Sequence, residues 1–402
     1  MKKILFLTNL IPYPLDNGGK IKSHNIIKAL SQKYDIDLMC FSNNESDKKY
    51  AQKMLGIVKN IHVIPKTLIR STSFKNFIKD YSKSLFSLYP YSINKYYDNR
   101  FKEELVRKLT KDDYEFVYVD HLPMMVYFKY IKNHKVILDQ HNVESLIFKR
   151  MIINDNNIFK KILGSIEYIK LLNFEKKSIL QSNHVICLSE DDKKVLSSFG
   201  LSNEKVSVLP IHIDLEKNYN YKVSKDGKIN LLFLGSMSWY PNQHGIKWFM
   251  ENVWPKLKDK NFNIYIVGSN PPEVIKKYQN DKNVFVTGYV DDVDMYIEKC
   301  DVSIVPLFVG SGQRVKIIES FGKKIPVIST AIGAEGIKYS DREDIMIADN
   351  KEEFIAEIIN ILKKPFKLQI ISEKAYENFK ENYSAQILPS KLEAIINDLK
   401  KD

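Results

Sequence analysis

Cysteine is scarce in this sequence: Cys40, Cys187 and Cys300 are the only three among 402 residues, far apart and set in apolar surroundings. An odd number at such spacing argues against a disulfide framework or a zinc cluster and fits reduced, buried thiols in a cytoplasmic protein. Long apolar runs are missing too. No stretch approaches the ~18 to 20 continuous apolar residues that a membrane span needs. The opening MKKILFLTNLIPYP imitates a secretion signal, yet its apolar run is short, Pro12 and Pro14 interrupt it, and no small-residue cleavage site follows. It reads as a first β-strand. Low-complexity tracts are absent, and 44% hydrophobic residues supply material for substantial cores.

Acidic residues are under-represented only in the first half. Residues 1–209 hold 34 Lys+Arg against 22 Asp+Glu, and the remainder holds 27 of each, so the whole net charge of +12 lies in the first half. That asymmetry suits an anionic surface or substrate. On charge alone nucleic acid, anionic lipid and a merely solvated lysine-rich surface all stay open.

Strand and helix patterns alternate along the chain. ILFLTN, DIDLMCFS, NIHVIP, FVYVDH, KVILDQH and HVICLS read as strands with helical segments between them, which implies a parallel sheet covered by helices. The pattern restarts with INLLFLGS, FNIYIVGS, NVFVTGYV, VSIVPL, IPVIST and DIMIAD. The fold class is therefore α/β with two Rossmann-like domains, 1–210 and 211–380, joined through a polar linker at about residues 211–228, and closed by a terminal helix in 381–402. In open parallel sheets ligands bind outside the carboxyl ends of the strands, and the glycines at Gly18, Gly235, Gly268 and Gly310 all follow strand patterns.

The stretch VGSGQRVKIIES (309–320) carries the sharpest signal. Gly310, Ser311 and Gly312 lie between a buried strand and an amphipathic helix whose first turns hold Arg314, Lys316 and Glu319. Free N–H groups at a helix start attract anions, and flanking cations strengthen the attraction. A phosphate pocket is the expectation; an ordinary turn is the alternative.

Together NLIPYPLDNGGKIKSHNIIKAL, FLGSMSWYPNQHGIKWF, FNIYIVGSNP and VFVTGYVDDVDMYIEKCDVSIVPLFVGSGQRVKIIESFGKKIPVIST resemble retaining GT-B glycosyltransferases of the family 4-like group, over almost the whole chain. The resemblance implies two domains facing across a cleft, with the last helix returning to the first domain. It implies a nucleotide-diphosphate sugar as donor, a saccharide or lipid-linked saccharide as acceptor, and work on bacterial surface polysaccharide. Gly18 and Gly19 correspond to the family's glycine pair by the donor diphosphate. Arg314 and Lys316 look like its basic pair, with Glu319 on the ribose hydroxyls. His141, in LDQHNVES, suits the histidine beside the transferring sugar. Gly235, Ser236, Asn242, Gly268, Gly310, Ser311 and Gly312 line the donor loops, and backbone near Tyr289 and Val290 meets the base. Asp120 and His121, in VDHLPM, are candidates for the acceptor.

The chain departs from the family at two places. Ser311 stands where many members carry a first glutamate, eight positions before Glu319, and the loop from Gly235 lacks the usual Arg and Lys; Lys247 there reads as a solvated helix residue. No DxD-like pair follows a strand where a diphosphate would sit, since DDVDMY opens a helix and suits capping. Neither an essential metal nor a cofactor is expected. Basic and aromatic residues interleave over 66–108, which suits peripheral contact with an anionic membrane or a helical pair with an aromatic core. No nucleic-acid partner is expected. The alternatives are a sugar-nucleotide 2-epimerase on the same fold and a non-enzymatic basic protein that binds membrane or nucleic acid.

Overall fold

A computed structural model describes residues 1–43, 47–66, 87, 89–154, 157–215, 217–221, 227–310 and 312–401. Residues 67–86 and 88 of the basic, aromatic segment 66–108 lie outside them. The chain divides into two compact units, Met1–Ile211 with Leu388–Asp402, and His212–Ile387.

In the first unit β1 (Lys2–Leu7), β2 (Tyr34–Ser42), β3 (Asn60–Pro65), β4 (Val117–Asp120), β5 (Val136–Asp139), β6 (His184–Cys187) and β7 (Val206–Val208) form one sheet in the order β3-β2-β1-β4-β5-β6-β7, with every pair parallel. These strands read as near-continuous apolar runs because both faces are covered. Ile4, Phe6, Ile36 and Leu38 face one core with the helices Gly18–Leu30 and Leu388–Lys401, and Leu5, Leu7, Met39 and Phe41 face the other. In the terminal helix Leu388, Leu392, Ile395, Ile396 and Leu399 fall on one stripe and join the first of these cores. Strand β7, three residues at the entry to the expected linker, was not expected.

In the second unit β8 (Ile229–Leu234), β9 (Phe262–Val267), β10 (Val284–Gly288), β11 (Val302–Val305), β12 (Val327–Ser329) and β13 (Met346–Ile347) run in the order β10-β9-β8-β11-β12-β13, again all parallel. The expected linker is in part built into this unit. His212, Ile213 and Tyr221 are buried, Ile213 bridges to Ser384, and the Tyr221 hydroxyl donates to the Asp301 carbonyl at 3.1 Å. Polar composition hid this, since among its described residues only the consecutive Ile211, His212 and Ile213 and the more distant Tyr221 do the packing.

Both sheets reverse their winding once, between β1 and β4 and between β8 and β11. Chains leave such a point in opposite directions and open a crevice at the carboxyl edge. The candidate residues lie at these two edges.

Candidate functional site

In the first unit, the end of β1 leads to Asn17, whose side chain caps the helix Gly18–Leu30 by accepting from Lys20 N at 3.0 Å. Gly18 and Gly19 open that helix. β4 ends in Asp120 and His121, and β5 ends in Asp139, followed by Gln140 and His141. Parallel register sets Asp120 beside Asp139.

The Asp120 carboxylate is fully buried and takes hydrogen bonds from Thr8 (2.7 Å), Ser23 (2.7 Å) and His141 Nε2 (2.8 Å), with His121 Nδ1 at 3.1 Å. It lies beneath the sheet edge, and of the acceptor pair expected with it only His121 is partly exposed. Its oxygens are already committed inside the sheet edge, and it acts through the two rings it holds. These rings stack with centroids 3.7 Å apart. Burial disfavours a proton on His121, but the contact with Asp120 and the charges of Asp139 and Glu144 together outweigh it, and the ring is raised above its ordinary value. His141 moves down, because it is buried and lies against that cation. The cluster thus favours the proton on His121 over one on His141, whose Nε2 lies against Asp120 and donates to it.

The outward nitrogens converge. A Cβ placed on Gly19 would meet His121 Nε2 at 3.5 Å and His141 Nδ1 at 3.7 Å. One is a donor and the other an acceptor, a pairing that suits a hydroxyl, which gives and takes one hydrogen bond. Gly19 keeps that space open.

Several supporting residues carried no recognisable signal. Lys22, one turn into the first helix, is buried against Asp139 at 2.5 Å, and Tyr118 donates to the same carboxylate at 2.7 Å. A lysine on an amphipathic helix is ordinarily solvated, so spacing could not single it out. Glu175 reaches from the helix Ile158–Gln181 to accept from the N–H groups of Glu144 (2.9 Å) and Ser145 (3.1 Å), which fixes the turn after His141. Burial raises Glu175 to about 7.

Asp120, His121 and His141 are also the described group with ligand atoms near enough for a metal, within 4.8 Å of one another. Within the group His141 Nε2 hydrogen-bonds Asp120 at 2.8 Å, and the Lys22 ammonium lowers the proton affinity of His141 from the same cluster.

In the second unit, β8 and β9 end in glycines because the backbones nearly touch. A Cβ on Gly268 would lie 1.9 Å from the Gly235 carbonyl oxygen, and one on Gly235 would lie 2.5 Å from Asn242 Nδ2 and 2.8 Å from Lys316 Nζ. Asn242, near the start of the helix Tyr240–Asn252, donates to the Ser236 carbonyl at 2.8 Å and accepts from Lys316 Nζ at 2.9 Å. Ser236 also accepts from Ser269 at 3.0 Å. Arg314 caps the helix Val315–Gly322; its guanidinium lies 5.3 Å over the Trp239 ring and donates to the Gly312 carbonyl at 2.8 Å, beside Gly310. Ser311 lies outside the described residues. Tyr289 is exposed beside the partly buried Val290, just after β10. Lys247 is half-exposed and 3.8 Å from Glu251, a solvated residue as expected.

The charges here are strained by burial. Lys316 is pushed down to about 7 by burial and then by the neighbouring Arg314 charge. Arg314 is lowered to about 10, again by burial. Glu319 is raised by burial, with Lys323 opposing. Among the described residues no ion pair joins Glu319 to Lys316, although they are one helical turn apart. Two cations and a desolvated carboxylate are thus gathered at the start of one helix. Asp294, from the DDVDMY stretch, is used elsewhere: it binds Lys323 at 2.7 Å and the Tyr219 hydroxyl at 2.6 Å.

Residues 228–364 match the family described as glycosyl transferases group 1. The chain carries a glycosyltransferase domain. The rest of the molecule agrees in fold. Sucrose-phosphate synthase from Thermosynechococcus elongatus superposes with a TM-score of 0.70 at 13% identity, over 100% of both chains. HepE from Anabaena, in complex with UDP, gives 0.67 at 12% identity over 98% of this chain and 99% of its own. The architecture is GT-B. An uncharacterized 44.6 kDa protein in the cps region of Klebsiella pneumoniae is 25% identical over 96% of this chain and 97% of its own length. The glycosyltransferase domain comprises the β8–β13 sheet and its glycine-lined edge.

Proposed function

We propose that this chain transfers a sugar, with retention at the anomeric carbon, from a nucleotide-diphosphate sugar to a saccharide or lipid-linked saccharide during assembly of a bacterial surface polysaccharide. The observation that carries the reading is the set Arg314, Lys316 and Glu319 on one helix beside the glycine tips Gly235 and Gly268. The match to group 1 transferases, the cps-region relative and the UDP held by HepE support it.

Transfer breaks the bond between the anomeric carbon and the diphosphate, and negative charge builds on the departing oxygen. Arg314 and Lys316 neutralise that charge in place of a metal, preorganised because their burial cost is met before the reaction. Gly310 and Gly312 admit the phosphates, and Ser311 stands where a glutamate would otherwise meet the sugar. Glu319 accepts the ribose hydroxyls, and the backbone at Tyr289 and Val290 meets the base. In the first unit His121 and His141 grip a hydroxyl of the transferring sugar over Gly19. The work would be done at the inner face of the cell membrane if the acceptor is lipid-linked.

Thermal shift with UDP, GDP, ADP and CMP and their sugars, with and without EDTA, tests the donor. Stabilisation by one diphosphate family that survives EDTA is the expected result. A shift that EDTA abolishes would replace the two cations by a metal, and no shift with any nucleotide would remove the donor site.

A further inference from the structure

The helices Glu144–Asn154 and Ile158–Gln181 pack on each other, and their outer side is unlike the rest of the surface. A Cβ on Gly164 would meet Ile152 Cγ1 at 2.9 Å, so the backbone of the longer helix comes close against the last turn of the shorter one. Around this crossing Met151, Ile153, Ile162, Leu163, Ile166 and Ile169 are each at least 40% exposed. Ile162, Ile166 and Ile169 fall at i, i+4 and i+7, one stripe of one helix. A scattered exposed isoleucine is normal, but a contiguous set of six marks a contact surface.

Charge selects the partner. Lys149 and Arg150 on the shorter helix are exposed, with Lys161 at the crossing and Lys177 further along the outer face. The three acids of these helices turn inward: Glu167 accepts from Ser92 N at 3.0 Å, Glu175 caps the shorter helix, and Glu144 faces His121. Aliphatic tips ringed by cations, with no exposed acid on either helix, fit a bilayer interface whose headgroups are negative. No helix among the described residues is long and apolar enough to cross a membrane.

We infer that this helical pair docks the protein on an anionic lipid surface, inserting Ile162, Leu163 and Ile166 between headgroups while the cations meet the phosphates. The inference rests on the proposed function only for the presence of a membrane-borne acceptor, not for the sugar chemistry. The shorter helix of the docking pair starts three residues after His141, at the carboxyl edge of the first sheet, and the exposed set lies about its far end.

The test is flotation of the full-length protein with phosphatidylcholine vesicles containing zero or 30% phosphatidylglycerol, at low and high salt. Wild-type protein should float with the anionic vesicles at low salt, and Ile162→Glu with Ile166→Glu should weaken binding at least roughly tenfold. Lys149→Glu with Arg150→Glu should weaken it similarly and remove the salt dependence. All these side chains are exposed, so circular dichroism and nucleotide-induced thermal shift, measured without lipid, should be unchanged. Equal flotation of parent and isoleucine variant, or no flotation of the parent, overturns the inference while leaving the transferase reading intact. A parent that is dimeric by light scattering and a variant that is monomeric would assign the surface to a second copy instead.

Discussion

Lys316 offers the most exacting test of the donor site. Its ammonium is buried beside Arg314 and has Asn242 as its hydrogen-bond acceptor, and it titrates at about 7 instead of 10.5. At pH 8 only about a tenth of the free protein then carries this charge. A bound diphosphate restores it by supplying negative charge at contact distance, so binding draws a proton from solution. Calorimetric titration with the cognate nucleotide at pH 8, in two buffers of different ionisation enthalpy, should give close to one proton taken up. Kd should weaken roughly tenfold per unit between pH 8 and 9 and level off below about pH 6.5. The same burial has a cost for folding. A fall from 10.5 to about 7 represents roughly 5 kcal/mol of disfavoured charge, less about 1–3 kcal/mol for an Asn242 oxygen left without its donor on substitution. Lys316→Met should therefore raise the melting temperature of the free protein while abolishing stabilisation by nucleotide. Because the folded value is the lower one, the cost is complete below pH 7 and fades as pH rises toward 10.5, so the gain of the variant should shrink over that window. No proton uptake at pH 8, together with a Kd flat from pH 7 to 9, would refute the assignment of Lys316 to the diphosphate.

Other substitutions separate binding from fold. Gly19→Ala adds a methyl whose nearest neighbours are at ordinary contact, 3.4 to 3.7 Å, so melting should not change, but the space over both histidines is filled and kcat/KM should fall about 100-fold. Glu319→Gln should weaken nucleotide binding roughly 10- to 100-fold, read by calorimetry, because the hydrogen bonds lost are those of a charged acceptor. Asp120→Asn should bring the His121 titration back down, seen by imidazole NMR, and move the alkaline limb of the rate profile to lower pH; an unchanged His121 titration would deny that Asp120 holds the proton. Gly268→Ala should fail to fold stably, checked by expression and melting, since its Cβ would lie 1.9 Å from the Gly235 oxygen.

The strand, glycine turn and helix start of the second unit were legible in the sequence. VGSGQRVKIIES contains its glycines, cations and carboxylate within one strand-to-helix turn; the helical period relates Lys316 to Glu319, one turn apart, whereas Arg314 stands in extended backbone at the cap, where the period says nothing of its direction. The apolar runs likewise determined twelve of the thirteen strands, because strands covered on both faces must be apolar throughout. Only the tertiary structure could show that Asp120 is sealed beneath the histidines, since the four groups that occupy it come from β1, the first helix, β4 and β5. Lys22 and Glu175 are the same case: an isolated charge in a helical sequence looks solvated, and only packing reveals that it is buried against a partner 117 or about 30 residues away. The exposed stripe of Ile162, Ile166 and Ile169 shows the converse, since apolar spacing on a helix promises a core and only the fold decides which face is left outside. Short-range order follows from spacing along the chain; burial and proton affinity follow from which strands lie side by side.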